Sequence, residues 1–239
     1  MATARVRQIL SQVLDQHRDG TTLPGVLCEL CARQLLVTGV GLALFTDAGH
    51  EGVVAATDQT AMTLEELQFT SGEGPCVDAS RGGRPVLQPD LATTAPRRWP
   101  GFASGAAEAG IAAVFAFPLQ VGWVRVGVLD LYRDTTGSLD GEDLTEALAF
   151  ADAALALLLD LQELTPSAQD MHPNLADPVG RRPEIHQATG MIAVQAAVGL
   201  AEALVLLRAR AFGSGRTVAE IAREVVNRTL RFDNGDEQT

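Results

Sequence analysis

The residues of this 239-residue chain best suited to chemistry are its arginines. All 18 basic residues are Arg, and there is no Lys. Arg stays charged and offers a planar fork to phosphates and bases. Residues 1–180 carry 10 Arg against 23 acids, a net of −13, whereas residues 181–231 carry 8 Arg against 4 acids, a net of +4. The tail 232–239 returns to a net of −3. The formal charge of −12 argues against a nucleic-acid partner when taken alone. Its split points the other way, to a basic end on an acidic protein. Within that end Arg181, Arg182, Arg208 and Arg216 sit at helix starts, in a loop or beside a leucine, and are the candidate phosphate contacts. Arg210, Arg223, Arg228 and Arg231 serve equally well as a solvated surface, with pairs such as Glu220 with Arg223 or Glu224 with Arg228. His186 and Gln187 are candidate base contacts or merely exposed polar residues. Gly190 inside a helix costs roughly 1 kcal/mol relative to Ala. It serves close helix packing or close approach of a nucleic-acid backbone.

The remaining reactive residues are few. Cys28 and Cys31 have redox-motif spacing but no two further ligands nearby, so buried apolar cysteines are the expectation. His17, His50, His172 and His186 are scattered and form no metal set. No nucleophile elbow, phosphate loop or paired-acid constellation is present, and no enzymatic activity, metal or cofactor is expected. The N-terminus lacks a signal-like apolar stretch, and the run Ala147–Leu159 is too short to span a bilayer. A cytoplasmic protein without membrane contact is expected.

These residues need elements to hold them. Val6, Ile9, Leu10, Val13 and Leu14 have helical spacing, and a second helical run covers Pro24–Leu36. Val40–Phe45 and Gly52–Ala56 read as strands around a turn at Asp47–Gly49, and Ala61–Phe69 as a short helix. Ile111–Leu119 and Trp123–Tyr132 read as a central antiparallel hairpin. Asp140 is an N-cap for a long helix to about Leu164, with Leu144, Leu148, Ala151, Leu155 and Leu158 as its apolar line. An α+β fold follows, an antiparallel sheet with flanking helices, and then a small three-helix bundle. Pro166, Pro173, Pro178 and Gly180 mark residues 165–180 as a linker. Helices then fit at Pro183–Ala197, at Ala201–Phe212 ended by Gly213-Ser-Gly215, and at Val218–Leu230, opened by a capping-box spacing at Thr217-Val-Ala-Glu220. Leu204, Leu207 and Ala211 share one face of the second. Val218, Ile221, Ala222, Val225 and Thr229 share one face of the third.

Arg181-Arg-Pro-Glu-Ile-His-Gln-Ala-Thr-Gly-Met-Ile192, Gly199–Ala203, Leu207-Arg208 and Thr217–Ala222 resemble the ANTAR family across 181–231. The resemblance implies an RNA-binding module that recognises paired hairpins in nascent transcripts and controls termination. The family's Ala-Lys-Gly motif falls on Ala188-Thr189-Gly190, which places Thr189 at the lysine's position among the implied contacts. Val40–Phe45, Ser71–Cys76, Ala113–Leu119 and Val126–Asp130 resemble a GAF domain, a sensor fold. Some GAF domains attach a chromophore through a cysteine, but nothing else in the sequence supports that role for Cys76.

The expected organisation is a dimerisation helix at 1–20, a GAF-like sensor at 21–164, the linker, the RNA-binding bundle at 181–231 and an acidic tail at 232–239. The first helix and the 140–164 helix are expected to pair between subunits of a homodimer, because their apolar faces exceed what one small sheet needs. The sensor would take an unidentified small ligand and reposition two bundles on RNA hairpin loops. The competing reading is a dimeric sensor or interaction protein whose bundle no longer binds RNA. DNA binding by a helix-turn-helix-like bundle is the third.

Overall fold

The computed structural model describes residues 4–46, 49–163 and 183–232. The expected linker, the tail from 233, Arg181 and Arg182 lie outside the described residues. The chain divides into two compact units, one of residues 1–69 and 73–181, the other of residues 70–72 and 182–239.

The first unit begins with helices α1 (Ala4–Gln16) and α2 (Leu23–Leu35), then strands β1 (Gly39–Thr46) and β2 (Gly49–Ala56). Helices α3 (Gln59–Ser71) and α4 (Pro75–Gly82) precede the short β3 (Val86–Gln88), α5 (Leu91–Arg98) and α6 (Pro100–Glu108). Strands β4 (Ala113–Val121) and β5 (Val124–Arg133) and helix α7 (Gly141–Glu163) complete it. The sheet is antiparallel throughout, in the order β2-β1-β5-β4-β3. The expected hairpin is β4–β5, turned by Gly122 at φ 60°, where a two-residue hairpin turn needs positive φ. The segment 86–108 was not legible as β3, α5 and α6. These elements are short and rich in Ala, Gly and Pro. They are closed by local caps, as when Asp90 Oδ1 accepts from Thr93 N–H at 3.3 Å.

Both faces of the sheet are covered, and β4 and β5 are buried along most of their length. Period-2 alternation sends Phe115, Phe117, Leu129 and Leu131 to one face and Val114, Ala116, Val128 and Tyr132 to the other. The first face meets α2 and α7, and α1 packs on both of these helices. Val6, Ile9 and Val13 of α1 join that core, as do Cys28 and Cys31, which are buried as expected. Asp140 caps α7, accepting from the N–H groups of Glu142 and Asp143 at 2.8 Å. The apolar surface of α7 is wider than the expected line. Ala147, Phe150, Ala154, Leu157 and Leu161 are buried, while Leu148 is 44% exposed. Much of the α1 and α7 faces buries within one chain, where Arg5 of α1 also pairs with Glu146 of α7. Leu14 of the expected α1 face stays on the surface at 63% exposure, as Leu148 of α7 does.

The second unit contains α8 (Pro183–Ala196), α9 (Leu200–Ser214) and α10 (Val218–Val226). Its core is Ile185, Ala188 and Ile192 of α8, Ala203, Leu207 and Ala211 of α9, and Val218, Ile221, Ala222 and Val225 of α10. Ala203, not Leu204, completes the α9 stripe. Helix α9 runs through Gly213 and Ser214 and stops at Gly215, whose φ of 64° makes a left-handed cap. The capping box at Thr217 and Glu220 is present in both directions. Helix α10 ends at Val226, four residues short of expectation. Arg228 turns to φ 61°, and Thr229 N–H and Oγ1–H both bond the Glu224 carbonyl, at 2.9 and 3.0 Å. That local closure replaces another helical turn and leaves Thr229 exposed.

Candidate functional site

The surface of the bundle sorts the sequence-derived candidates. His186 and Gln187 are exposed on α8, as are Arg210 on α9 and Arg216 beyond it. Arg208 is half-buried. Thr189 is turned inward, and its hydroxyl donates to the Ile185 carbonyl at 2.7 Å, the back-bond of a helical threonine. A Cβ built on Gly190 would meet nothing within 4 Å, so close helix packing does not explain this glycine. Arg216 pairs with Glu224 at 2.8 Å, and Arg223 with Glu184 at 3.4 Å. These replace the pairs expected within α10, because the Glu220 carboxylate is engaged in the helix cap. The hydrogen bond and charge of Arg216 hold the Glu224 carboxyl below its ordinary range.

A cleft of about 320 Å³ opens between α9 and α10, with Arg210, Gly213, Ser214, Arg216 and Glu224 among its walls. Of the sequence-derived arginines it gathers Arg210 and Arg216. His186, Gln187 and Gly190 do not line it.

A second constellation, invisible to the motif reading, lies inside the first unit. Helix α3 buries Ala61, Leu64 and Phe69, and on the same side Glu65 and Gln68, both fully inaccessible. Asp130 of β5 is equally buried, on the sheet face that α3 covers. Its register partners are Gly41 on β1 and Ala116 on β4. Gly41 has a steric reason to be glycine, since a Cβ there would collide with Glu65 Oε1. Gln68 ties the group together. Its Nε2 donates to Asp130 Oδ2 at 3.3 Å, and its Oε1 accepts from Cys76 N–H at 2.7 Å. That second bond requires the α3–α4 turn to pass close. Gly74 stands there at φ 135°, and a Cβ on it would meet Gln68 Cγ at 2.8 Å.

Cys76, in the first turn of α4, brings its thiol to the same spot. One ligand atom each of Glu65, Cys76 and Asp130 lie within 4.8 Å of one another. Among the described residues Asp130 Oδ1 has no donor at hydrogen-bond geometry, although the Cys76 thiol and the Glu65 carboxyl lie against the same carboxylate. Burial pushes the Asp130 carboxyl up to about 6, while contacts with Cys76, Glu65 and Gln68 act in the opposite direction. Burial, then the negative charges of Asp130 and Glu65, push the Cys76 thiol well up. One signal in the sequence marked this cluster. Glu65 and Gln68 interrupt the apolar stripe of α3, and Asp130 interrupts the run Val126–Tyr132. A polar residue on a buried stripe is more informative than any apolar one.

The family model of the GAF domain matches residues 23–158. The GAF domain of an Acinetobacter phosphoenolpyruvate-protein phosphotransferase superposes with a TM-score of 0.50 at 8% identity, over 67% of this chain and 94% of its own. The GAF domain of the cyanobacteriochrome TePixJ does so with a TM-score of 0.50 at 18% identity, over 63% of this chain and 96% of its own. At these identities the likeness is one of fold. No curated protein matches the chain.

Proposed function

Because the chain belongs to the GAF domain family, we propose that it is a signal-responsive regulator whose sensor domain governs a C-terminal RNA-binding bundle. In this reading the bundle recognises paired hairpins in nascent transcripts and controls transcription termination. A homodimer in the cytoplasm would present two bundles to two hairpins. The protein acts by binding and not by catalysis. Cys28, Cys31 and Cys76 are buried thiols whose burial opposes the reactive thiolate form. No single described helix is long and apolar enough to cross a membrane.

The observation that carries the RNA reading is the cleft flanked by Arg210 and Arg216 on the segment 181–231, where 8 Arg outnumber 4 acids. Arginines supply the salt-dependent affinity through counterion release. A cleft beside them suits an unstacked loop base, the feature through which RNA sequence is read. The open side of Gly190 suits close approach of an RNA strand. Arg216 must exchange Glu224 for phosphate on binding, which makes Glu224 a built-in competitor.

Binding to a tandem-hairpin RNA and to a copy with scrambled loops, measured across salt, tests the reading. Tighter binding to the intact loops and a falling log K with log salt are expected. Equal binding removes sequence recognition, and a flat salt response removes the arginine mechanism. Gly190→Ala should stabilise α8 by about 1 kcal/mol while weakening RNA binding. The burial of Thr189 favours the second reading, an interaction protein without RNA binding. Unchanged RNA affinity after replacing Arg181, Arg182 and Arg208 with Ala would establish it.

A further inference from the structure

We infer that Glu65, Cys76 and Asp130 form a binding site for one divalent transition-metal ion of the zinc type, buried between the sheet and helices α3 and α4. Three observations converge on it. The first is the donor set, a thiol and two carboxyls with one ligand atom each inside a 4.8 Å limit. Ligand atoms on a single zinc ion lie about 3.5 Å apart, given metal–ligand bonds of about 2.0–2.3 Å. A small inward movement of side chains closes the difference.

The second is the orphaned oxygen. Asp130 is fully buried, and among the described residues its Oδ1 has no donor at hydrogen-bond geometry. A buried polar atom in that condition calls for an ion, a water or a functional role. The third is the charge. Glu65, Cys76 and Asp130 bring two carboxyls and a thiol within 4.8 Å of one another in a buried core. Two carboxyls this close in a water-excluded core cannot both be charged, so the pair retains one proton. The thiol retains another. An ion displaces both protons, and two are released for each ion bound. The site carries a charge of about −1 before and after, since three anionic ligands then surround a 2+ ion.

The fold supports the site around its ligands. Gln68 orients Asp130 through Nε2 while its Oε1 holds Cys76 N–H. That is the position from which an outer residue fixes metal ligands. Gly41 leaves the space that the Glu65 carboxyl occupies. The thiolate favours zinc-type ions over Mg²⁺ and Ca²⁺, which prefer oxygen alone. Because the ligands come from α3, α4 and β5, a bound ion would clamp the α3–α4 turn to the sheet. This names a signal for the sensor in the proposed function, but it rests on the cluster alone, and ion uptake is measured without RNA.

The full chain, stripped with a chelator, is titrated with Zn²⁺ and with Co²⁺. One equivalent per chain is expected, with about two protons released per ion, a thiolate-to-cobalt charge-transfer absorption and a raised melting temperature. Cys76→Ser should abolish the charge-transfer band. Glu65→Gln and Asp130→Asn, which remove like-charge crowding and should fold, are expected to weaken binding at least tenfold. Three results would each overturn the site. They are no uptake by the folded wild type at micromolar Zn²⁺, an unchanged cobalt band in Cys76→Ser, and equal affinity in both carboxamide variants. Ca²⁺ binding as tightly as Zn²⁺ would also overturn it.

Discussion

One face of the sheet meets α2 and α7 across side chains such as Leu42, Phe117, Phe150 and Leu158. The other meets α3 and α4 across an apolar layer that includes Leu64 and Val128 but is interrupted by Glu65, Gln68 and Asp130. The two faces share the same strands and the same degree of burial. They differ in what burial demands. Apolar side chains gain from leaving water in proportion to the area removed. Buried carboxyls lose hydration and must recover it from partners or protons. The first face is a device for stability. The second holds groups whose charge state depends on what reaches them, the property a sensor requires.

Substitutions can break this contrast, starting with the largest expected effect. Phe150 is fully buried on the apolar face, so Phe150→Ala should cost about 3–5 kcal/mol in denaturant unfolding. A loss below about 1 kcal/mol would show that this face is not the principal core. On the other face Gly41→Ala drives a Cβ into the Glu65 carboxyl, and about 1–3 kcal/mol of overpacking cost is expected. Glu65→Gln would not relieve it, since the amide fills the same space. Relief in the double variant would mean that charge, and not volume, sets the cost.

Asp130→Asn sharpens the contrast by sign. Truncations on the apolar face destabilise, whereas this neutral isostere should stabilise the metal-free protein at pH 7 by about 1–3 kcal/mol. The pH dependence follows from the same carboxyl. Its folded value lies above its unfolded one, rising from 3.8 to about 6. The folded state therefore holds more protons across that window. Stability from this group is fully present below the window and is lost as pH rises through it, by up to about 1.4 kcal/mol per pH unit. Unfolding of chelator-treated protein between pH 4 and pH 6 should show that slope, and Asp130→Asn should flatten it. An unchanged slope in the variant would assign the effect to other groups.

The sequence was most legible where physics is local. The capping spacing Thr217–Glu220, the Asp140 cap and the short separation of the β4–β5 hairpin each depend on neighbours within a few residues. The segment 86–108 was opaque because its short helices have little periodic signal and draw their order from the sheet they cover. The site was harder still. Glu65 and Asp130 are 65 positions apart in the chain, and no motif spacing connects them.

By itself the sequence determined an acidic sensor-type α+β domain, a basic three-helix segment after it, and the identity of every residue available for binding. Tertiary structure alone decided which of these meet. It turned Thr189 inward to Ile185, engaged Arg216 with Glu224, and converged Glu65, Cys76 and Asp130 on one point. Local structure follows from propensity and periodicity carried by each stretch of chain. Burial and electrostatics depend on distances through space, and those exist only once the helices have packed on the sheet.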